Sequence, residues 1–278
     1  MPTSPEFSVT FWGVRGSIAS PGPDTVRYGG NTSCLEVRCG DALVIFDAGT
    51  GLRALGQKLA AEGPIDADLF FSHTHFDHIT GLPFFGPAFL SKNRFRFWAG
   101  HLKPQSIELC DVLGEMMMPP LFPVPLEIFK ADIAYRDFSA GDTLTLRPGL
   151  VLKTAPLNHP NGATGYRVEY GGRSLCYCTD TEHTGDGQDG NILGLIAGAD
   201  LVIYDATYTD EEFARYKGWG HSTWQEGIRL CEAAGAKQLA IFHHDPSHDD
   251  ATMDAIAEAA EQRRPGTLVA REGVTLRL

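Results

Sequence analysis

Short apolar runs broken by glycine-centred turns open the chain and predict strands over 8–14, 33–38 and 42–46. Cys39-Gly40-Asp41 separates the last two and reads as a hairpin turn. Asp47-Ala48-Gly49-Thr50-Gly51 ends that hairpin and opens a helix over 52–61, which Gly63-Pro64 closes. The apolar stretch Ala67-Asp68-Leu69-Phe70-Phe71 predicts a buried strand over 69–72, and Val151-Leu152-Lys153-Thr154-Ala155 is also strand-like. A second hairpin, 164–170 with 174–178, turns at Gly171-Gly172 and runs out at Asp180. The tail then alternates strand 201–204, helix 223–234, strand 238–242, helix 251–263 and strand 274–278. Two halves, each a hairpin followed by acidic or histidine residues at strand ends, point to an internal duplication. Two sheets covered by helices, an α/β architecture, fit this order.

The segment 83–125 breaks the pattern. It is rich in Phe, Pro and Met and includes Met116-Met117-Met118-Pro119-Pro120-Leu121-Phe122-Pro123, where the prolines exclude a regular helix. It reads as an insertion into a single domain spanning 1–278: a lid or pocket wall, a dimer contact, or an irregular connection packed on the core.

Size and charge narrow the function. A chain of 278 residues can bury a sizeable core. Its formal net charge of −12 argues against an extended nucleic-acid surface, because phosphate neutralisation supplies most non-specific affinity. A small anionic ligand is still compatible. No apolar run approaches bilayer-spanning length, so no membrane contact is expected. The start, Met1-Pro2-Thr3-Ser4-Pro5-Glu6-Phe7, lacks the basic and apolar regions of a signal peptide, and a cytoplasmic location is expected. The six cysteines, Cys34, Cys39, Cys110, Cys176, Cys178 and Cys231, show no paired spacing and read as free thiols. Cys176 and Cys178 alternate on one strand and so share a face.

The chemistry concentrates in Ser72-His73-Thr74-His75-Phe76-Asp77-His78, directly after the buried strand. Imidazole nitrogens and carboxylate oxygens are the donors that borderline divalent metals select. On an extended segment His73 and His75 project to one side and can chelate one ion. After a turn, Asp77 and His78 can face a second.

His73-Thr74-His75-Phe76-Asp77-His78 resembles the HxHxDH signature of the metallo-β-lactamase superfamily. Asn158-His159-Pro160, Tyr177-Cys178-Thr179-Asp180-Thr181 and Ile241-Phe242-His243-His244-Asp245-Pro246 resemble its later motifs, in the expected order. The resemblance covers nearly the whole chain from Phe11-Trp12-Gly13-Val14-Arg15-Gly16-Ser17 onward. It implies a four-layer αββα sandwich built from two similar halves. It also implies two divalent metal ions, zinc first, with manganese and iron compatible. The implied ligands are His73, His75 and His159 for one ion and Asp77, His78 and His243 for the other. Asp180 bridges them and leaves room for a water. His243 and His244 point oppositely on a strand, and the family pattern favours His243. His244 is left a supporting or structural role.

Gly220-His221-Ser222-Thr223 and Asp205-Ala206-Thr207-Tyr208 are similar to elements of the ribonuclease Z branch. The resemblance implies catalytic roles for Asp77, His221 and Asp205, with His221 acting on the phosphate and Asp205 orienting it. Ser222 or Thr223 can also cap the following helix. Gly29-Gly30-Asn31-Thr32-Ser33-Cys34 and Arg15-Gly16-Ser17 look like those of bacterial members linked with cyclic-nucleotide phosphodiesterase activity. There Asn31, Thr32 and Ser33 would support the ligands or simply make turns. His101, His183 and His248 lie outside the pattern, with His183 a possible pocket residue.

The expected function is hydrolysis of a small or cyclic-nucleotide phosphodiester, by a monomer or a homodimer. A carbonyl-ester hydrolase (lactone or thioester), a tRNA 3′-processing endonuclease and a non-catalytic binding module are the competing classes. The full ligand set argues against the last. The lack of a Gly-rich, basic arm in 83–125 argues against tRNA.

Overall fold

The computed structural model describes residues 6–184 and 188–278. Most of the stretch 1–7 read for a signal peptide lies outside the described residues. The first sheet contains β1 (Phe7–Gly13), β2 (Cys34–Cys39), β3 (Ala42–Phe46), β4 (Asp66–Phe71), β5 (Arg94–Ala99) and β6 (Asp132–Asp137). The second contains β7 (Thr143–Arg147), β8 (Leu150–Leu157), β9 (Ala163–Tyr170), β10 (Arg173–Cys178), β11 (Leu201–Asp205), β12 (Gln238–Phe242) and β13 (Leu268–Val269), before β14 (Thr275–Arg277) returns to pair with β1. Helices α1 (Leu52–Ala60), α2 (Phe76–Ile79), α3 (Leu109–Met116), α4 (Gly190–Ile196), α5 (Asp210–Tyr216), α6 (Trp224–Ala234) and α7 (Asp250–Arg263) complete it.

The halves share a pairing plan. In the first sheet β1, β2 and β3 are antiparallel and β3 to β6 are parallel. In the second, β7 to β10 are antiparallel and β10 to β13 parallel. The duplication read in the sequence is visible as this common switch at β3 and β10.

Strand alternation builds the layers. In β4, Leu69 and Phe71 turn outward beneath Leu52, Leu55 and Leu59 of α1, whereas Phe70 turns inward. In β10, Leu175 and Tyr177 face the other sheet, whereas Cys176 and Cys178 share the outer face with Ile192, Ile196 and Ile228. Three apolar seams therefore hold four layers, the αββα sandwich. All six cysteines are free thiols.

The segment 83–125 differs from the expected insertion. It contains β5, inserted between β4 and β6, and α3. Phe85, Ala88, Phe95, Phe97 and Met117 are buried in the outer core. The alternation in Arg94-Phe95-Arg96-Phe97-Trp98 is that of a strand, and basic partners hid it. Arg96 bonds Asp68 and Asp66, so its exposed-looking charge belongs to a half-buried sheet face. The prolines do end the helix, since α3 stops at Met116. No helix among the described residues is long and apolar enough to cross a membrane.

Candidate metal centre

The carboxyl ends of strands in both sheets converge at one edge of the sandwich. β3 runs into Asp47, β4 into the Ser72–His78 stretch, and β8 into His159. β10 leads to Asp180, Asp205 ends β11, and His243 follows β12. Asp47, Asp180 and His243 all take left-handed backbone, at φ of 59°, 58° and 62°. Such a φ is uncommon for a side-chain-bearing residue, and here it swings the side chain off the sheet and into the cluster. Asp47 and Asp180 occupy equivalent places in the two halves.

Three donor groups form among the described residues. His73, His75 and His159 make one, Asp77, His78, Asp180 and His243 a second, and Asp180, Asp205, His221 and His243 a third, with ligating atoms within 4.8 Å of one another in each. Asp180 serves the first two groups. Its Oδ1 lies 3.7 Å from Nε2 of His73 and of His159, and its Oδ2 lies 3.2 Å from His78 Nε2 and 3.3 Å from His243 Nε2. Each carboxylate oxygen therefore faces a different cluster, as a bridging residue requires.

The donors fit divalent ions. The Nε2 atoms of His73, His78 and His243 are buried and have no partner in hydrogen-bonding geometry, although carboxylate oxygens stand close. A buried orphaned ring nitrogen is costly unless something else satisfies it. Each lies within 4.8 Å of the other donors of its group. Imidazole with carboxylate is the donor set of zinc and its neighbours.

The opposite ring nitrogens are fixed from behind. His78 Nδ1–H donates to Asp47 Oδ2 at 2.8 Å, and the same oxygen accepts Tyr177 O–H at 2.7 Å and Ser72 O–H at 2.8 Å. His159 Nδ1–H donates to the Gly220 carbonyl at 2.8 Å, which leaves Nε2 facing the cluster. Thr207 gives its one proton to Asp205 at 2.8 Å, so its oxygen accepts His243 Nδ1–H at 3.0 Å. Asp77 Oδ2 accepts the Ser17 N–H at 2.8 Å. Behind His243, a Cβ on Gly16 would come within 2.3 Å of the ring, so only glycine lets that loop close.

Electrostatics follow the geometry. Burial would raise the Asp77 carboxyl, but the facing His78 and His243 imidazoles hold it well below the usual range. Asp180 behaves alike: burial opposes ionisation, and His243, His78 and His73 override it. His73 is lowered, first by burial and then by the neighbouring imidazoles.

His221 and Asp205 form the expected pair. His221 Nδ1–H donates to Asp205 Oδ2 at 3.0 Å, and the ring lies 4.9 Å from that of His243. Burial would lower the His221 pKa, but Asp205 outweighs it and lifts it to about 9. Thr223 also caps α6, its hydroxyl accepting the Glu226 N–H at 3.1 Å.

Other residues fall outside. His244 is buried on the far side of its strand, with Nε2–H donating to the Ala270 carbonyl at 2.8 Å. His248 bonds Glu212, and His183 bonds Ser222 and stacks on Phe213. His101 bonds Thr74, next to the donor group without joining it. Asn31 and Thr32 bond Glu272 and Thr50 and build the turn rather than the ligand support. Asp47, Thr207 and the Gly220 carbonyl are supports that the motifs did not single out. The duplication offered a signal for Asp47, since it stands where Asp180 stands in the other half.

Residues 43–244 match the model of the beta-lactamase superfamily domain. A ribonuclease Z of Porphyromonas gingivalis is 33% identical, the match covering 91% of this chain and 95% of that protein. Among solved structures, the metallo-beta-lactamase fold protein YhfI of Bacillus subtilis superposes with a TM-score of 0.72 at 18% identity, covering 99% of this chain and 100% of that one. The short form of human tRNase Z superposes with a TM-score of 0.67 at 21% identity, covering 97% and 98%. With its fold, its donor clusters and these relatives together, the chain belongs to the metallo-β-lactamase superfamily, in its ribonuclease Z-like branch, and is a metal-dependent hydrolase.

Proposed function

We propose that the protein is a phosphodiesterase acting on a small phosphodiester of cyclic-nucleotide size. His73, His75 and His159 would hold one divalent ion and Asp77, His78 and His243 a second, zinc by donor chemistry, with Asp180 between them. Such a pair of ions, when bound, supplies Lewis-acid charge and water activated near neutral pH. The chain's own residues do the rest. Ser17 N–H and Asp47 keep Asp77 and His78 in register. Asp205 accepts His221 Nδ1–H and fixes the orientation of the ring.

The observation that carries phosphorus over carbonyl chemistry is this His221–Asp205 pair beside Asp180, with His221 Nδ1 3.8 Å from Asp180 Oδ1. A His221 ring nitrogen lies within 4.8 Å of donor atoms on Asp180, Asp205 and His243. Its Nδ1–H is nevertheless taken by Asp205, and a donor placed there suits the negative charge that builds on a phosphoryl group and its leaving oxygen.

The test is a panel of bis-p-nitrophenyl phosphate, cyclic nucleotides, a lactone, a thioester and precursor tRNA, run with wild type and His221→Ala. Metal content should survive the substitution, and kcat on phosphodiesters should fall roughly 10²–10³-fold, the loss typical of one electrostatic donor. Unchanged kcat together with good lactone or thioester turnover would move the protein to the carbonyl-ester class. The Porphyromonas gingivalis relative's name supports a second reading, tRNA 3′ processing. A net charge of −12 weighs against it, since little counterion release is then available. Cleavage of precursor tRNA in preference to the small diesters would establish it.

A further inference from the structure

Trp219 lies one residue before His221's own glycine neighbour, Gly220, and presents an indole that is 62% exposed. An exposed indole on a loose loop would carry little meaning, but this one is pinned. Gly218 N–H and Gly220 N–H, on either side of it, both donate to Glu182 Oε2, at 2.7 and 2.9 Å. Glu182 is itself tied down, since its backbone carbonyl accepts Asn158 Nδ2–H at 2.8 Å. The Gly220 carbonyl meanwhile accepts His159 Nδ1–H. Both glycines take left-handed backbone, at φ of 92° and 86°, and a Cβ on Gly220 would come within 2.4 Å of the His159 ring. The loop is thus a knuckle locked onto the metal-centre supports with one large side chain left facing solvent.

Aromatic packing backs the indole. Its edge meets Tyr216 at 5.4 Å and 74°. Tyr216 in turn stacks on Tyr208 at 4.5 Å and 8°, and Tyr208 borders His221 at 6.1 Å. A row of rings therefore runs from the proposed phosphate-handling histidine out to the surface. A second aromatic, Phe76, follows His75 and is 68% exposed. The chain's net charge offers no long-range pull on an anionic substrate, so recognition of the group attached to phosphorus must come from contact.

We propose that Trp219 is the base-stacking platform of the site, so that the preferred substrate is a phosphodiester bearing a nucleobase next to the scissile phosphate. This rests on the phosphodiesterase reading above. Stacking is sequence-tolerant because every base has a π-face, and a platform held in place before binding loses little freedom on engagement. Trp219 is a specificity residue and holds no reacting atom.

Two esters with the same leaving group isolate the base: thymidine 5′-(p-nitrophenyl phosphate) and methyl p-nitrophenyl phosphate. In the metal-loaded full chain, Trp219→Ala should raise KM for the thymidine ester, relative to the methyl ester, by roughly 5- to 100-fold, the usual range for losing one base stack. Trp219→Phe should recover most of it, and kcat should move less than KM. An equal effect on both esters would overturn the proposal, as would a loss of selectivity in Phe76→Ala with none in Trp219→Ala. Wild-type turnover of the methyl ester with no preference for thymidine would sink the platform alone. Turnover of neither ester would sink the phosphodiesterase reading, and the platform with it.

Discussion

Replacing Asp47 by asparagine isolates the carboxylate that stands behind His78. Asparagine keeps the shape, and its oxygen can still accept the Ser72 N–H that Asp47 Oδ1 takes at 2.7 Å. Its amide nitrogen then occupies the position of Oδ2. The Tyr177 and Ser72 hydroxyls can rotate to accept from it, but His78 Nδ1–H cannot. The ring must lose its bond or move its proton to Nε2, the nitrogen that faces Asp77 and Asp180 at 3.2 Å. Loss of such a support costs roughly 10- to 100-fold in metal affinity, or about 1.4–2.8 kcal/mol. Alanine would confuse the test, because it strands several buried donors at about 1–3 kcal/mol each, against a total stability of only about 5–15 kcal/mol. Zinc titration of metal-free protein against a competing chelator reads the affinity, and far-UV circular dichroism checks the fold. A folded Asp47→Asn variant with wild-type affinity would refute the reasoning and show that His78 is oriented by its own backbone.

Other outcomes follow from the same geometry. Asp180→Ala should weaken both ions, because its two oxygens face different clusters; full occupancy of both ions by metal analysis would remove the bridging role. His243→Ala should lower metal content and activity together, whereas His244→Ala should leave metal content near wild type, and the reverse would place the strand register one residue out. In the metal-free protein, burial opposes protonation of His78, but Asp180, Asp77 and Asp47 hold its pKa well above the usual value. Zinc loading at neutral pH must therefore expel that proton, and affinity should tighten as pH rises toward the His78 pKa. Calorimetry in buffers of different ionisation enthalpy counts the protons, and a count of zero would exclude a protonated His78.

The sequence was most readable where one local pattern decided the outcome. The spacing of His73, His75, Asp77 and His78 needs only a strand exit and a turn, and both hairpins were marked by their glycines. The placement of His243 over His244 came from family pattern, and the backbone at His243 shows why strand alternation alone could not decide it. A left-handed residue breaks the two-residue period. Only the duplication pointed to Asp47 as a support, because its partners, Ser72, His78 and Tyr177, lie 25, 31 and 130 residues away. β5 was missed because the face it turns toward the other sheet carries Arg96 and Trp98, paired to Asp66 and Asp68, a long-range fact that hydropathy does not record.

The strand ends that meet at the site come from opposite sheets, and this has a mechanical meaning. His73 and His75 leave the first sheet and His159 the second; Asp77 and His78 leave the first, and Asp180 and His243 the second. Each ion held there is a non-covalent cross-link over the seam between the halves. With the two ions of the proposed function bound, separating the sheets at that edge would mean surrendering both, and each site loaded at a thousandfold excess over Kd would add about 4 kcal/mol against unfolding. Chelation should act as an unclasping of that edge, felt first as faster protease entry and amide exchange around Asp47 and Asp180, while the opposite edge of the sandwich keeps its apolar seal.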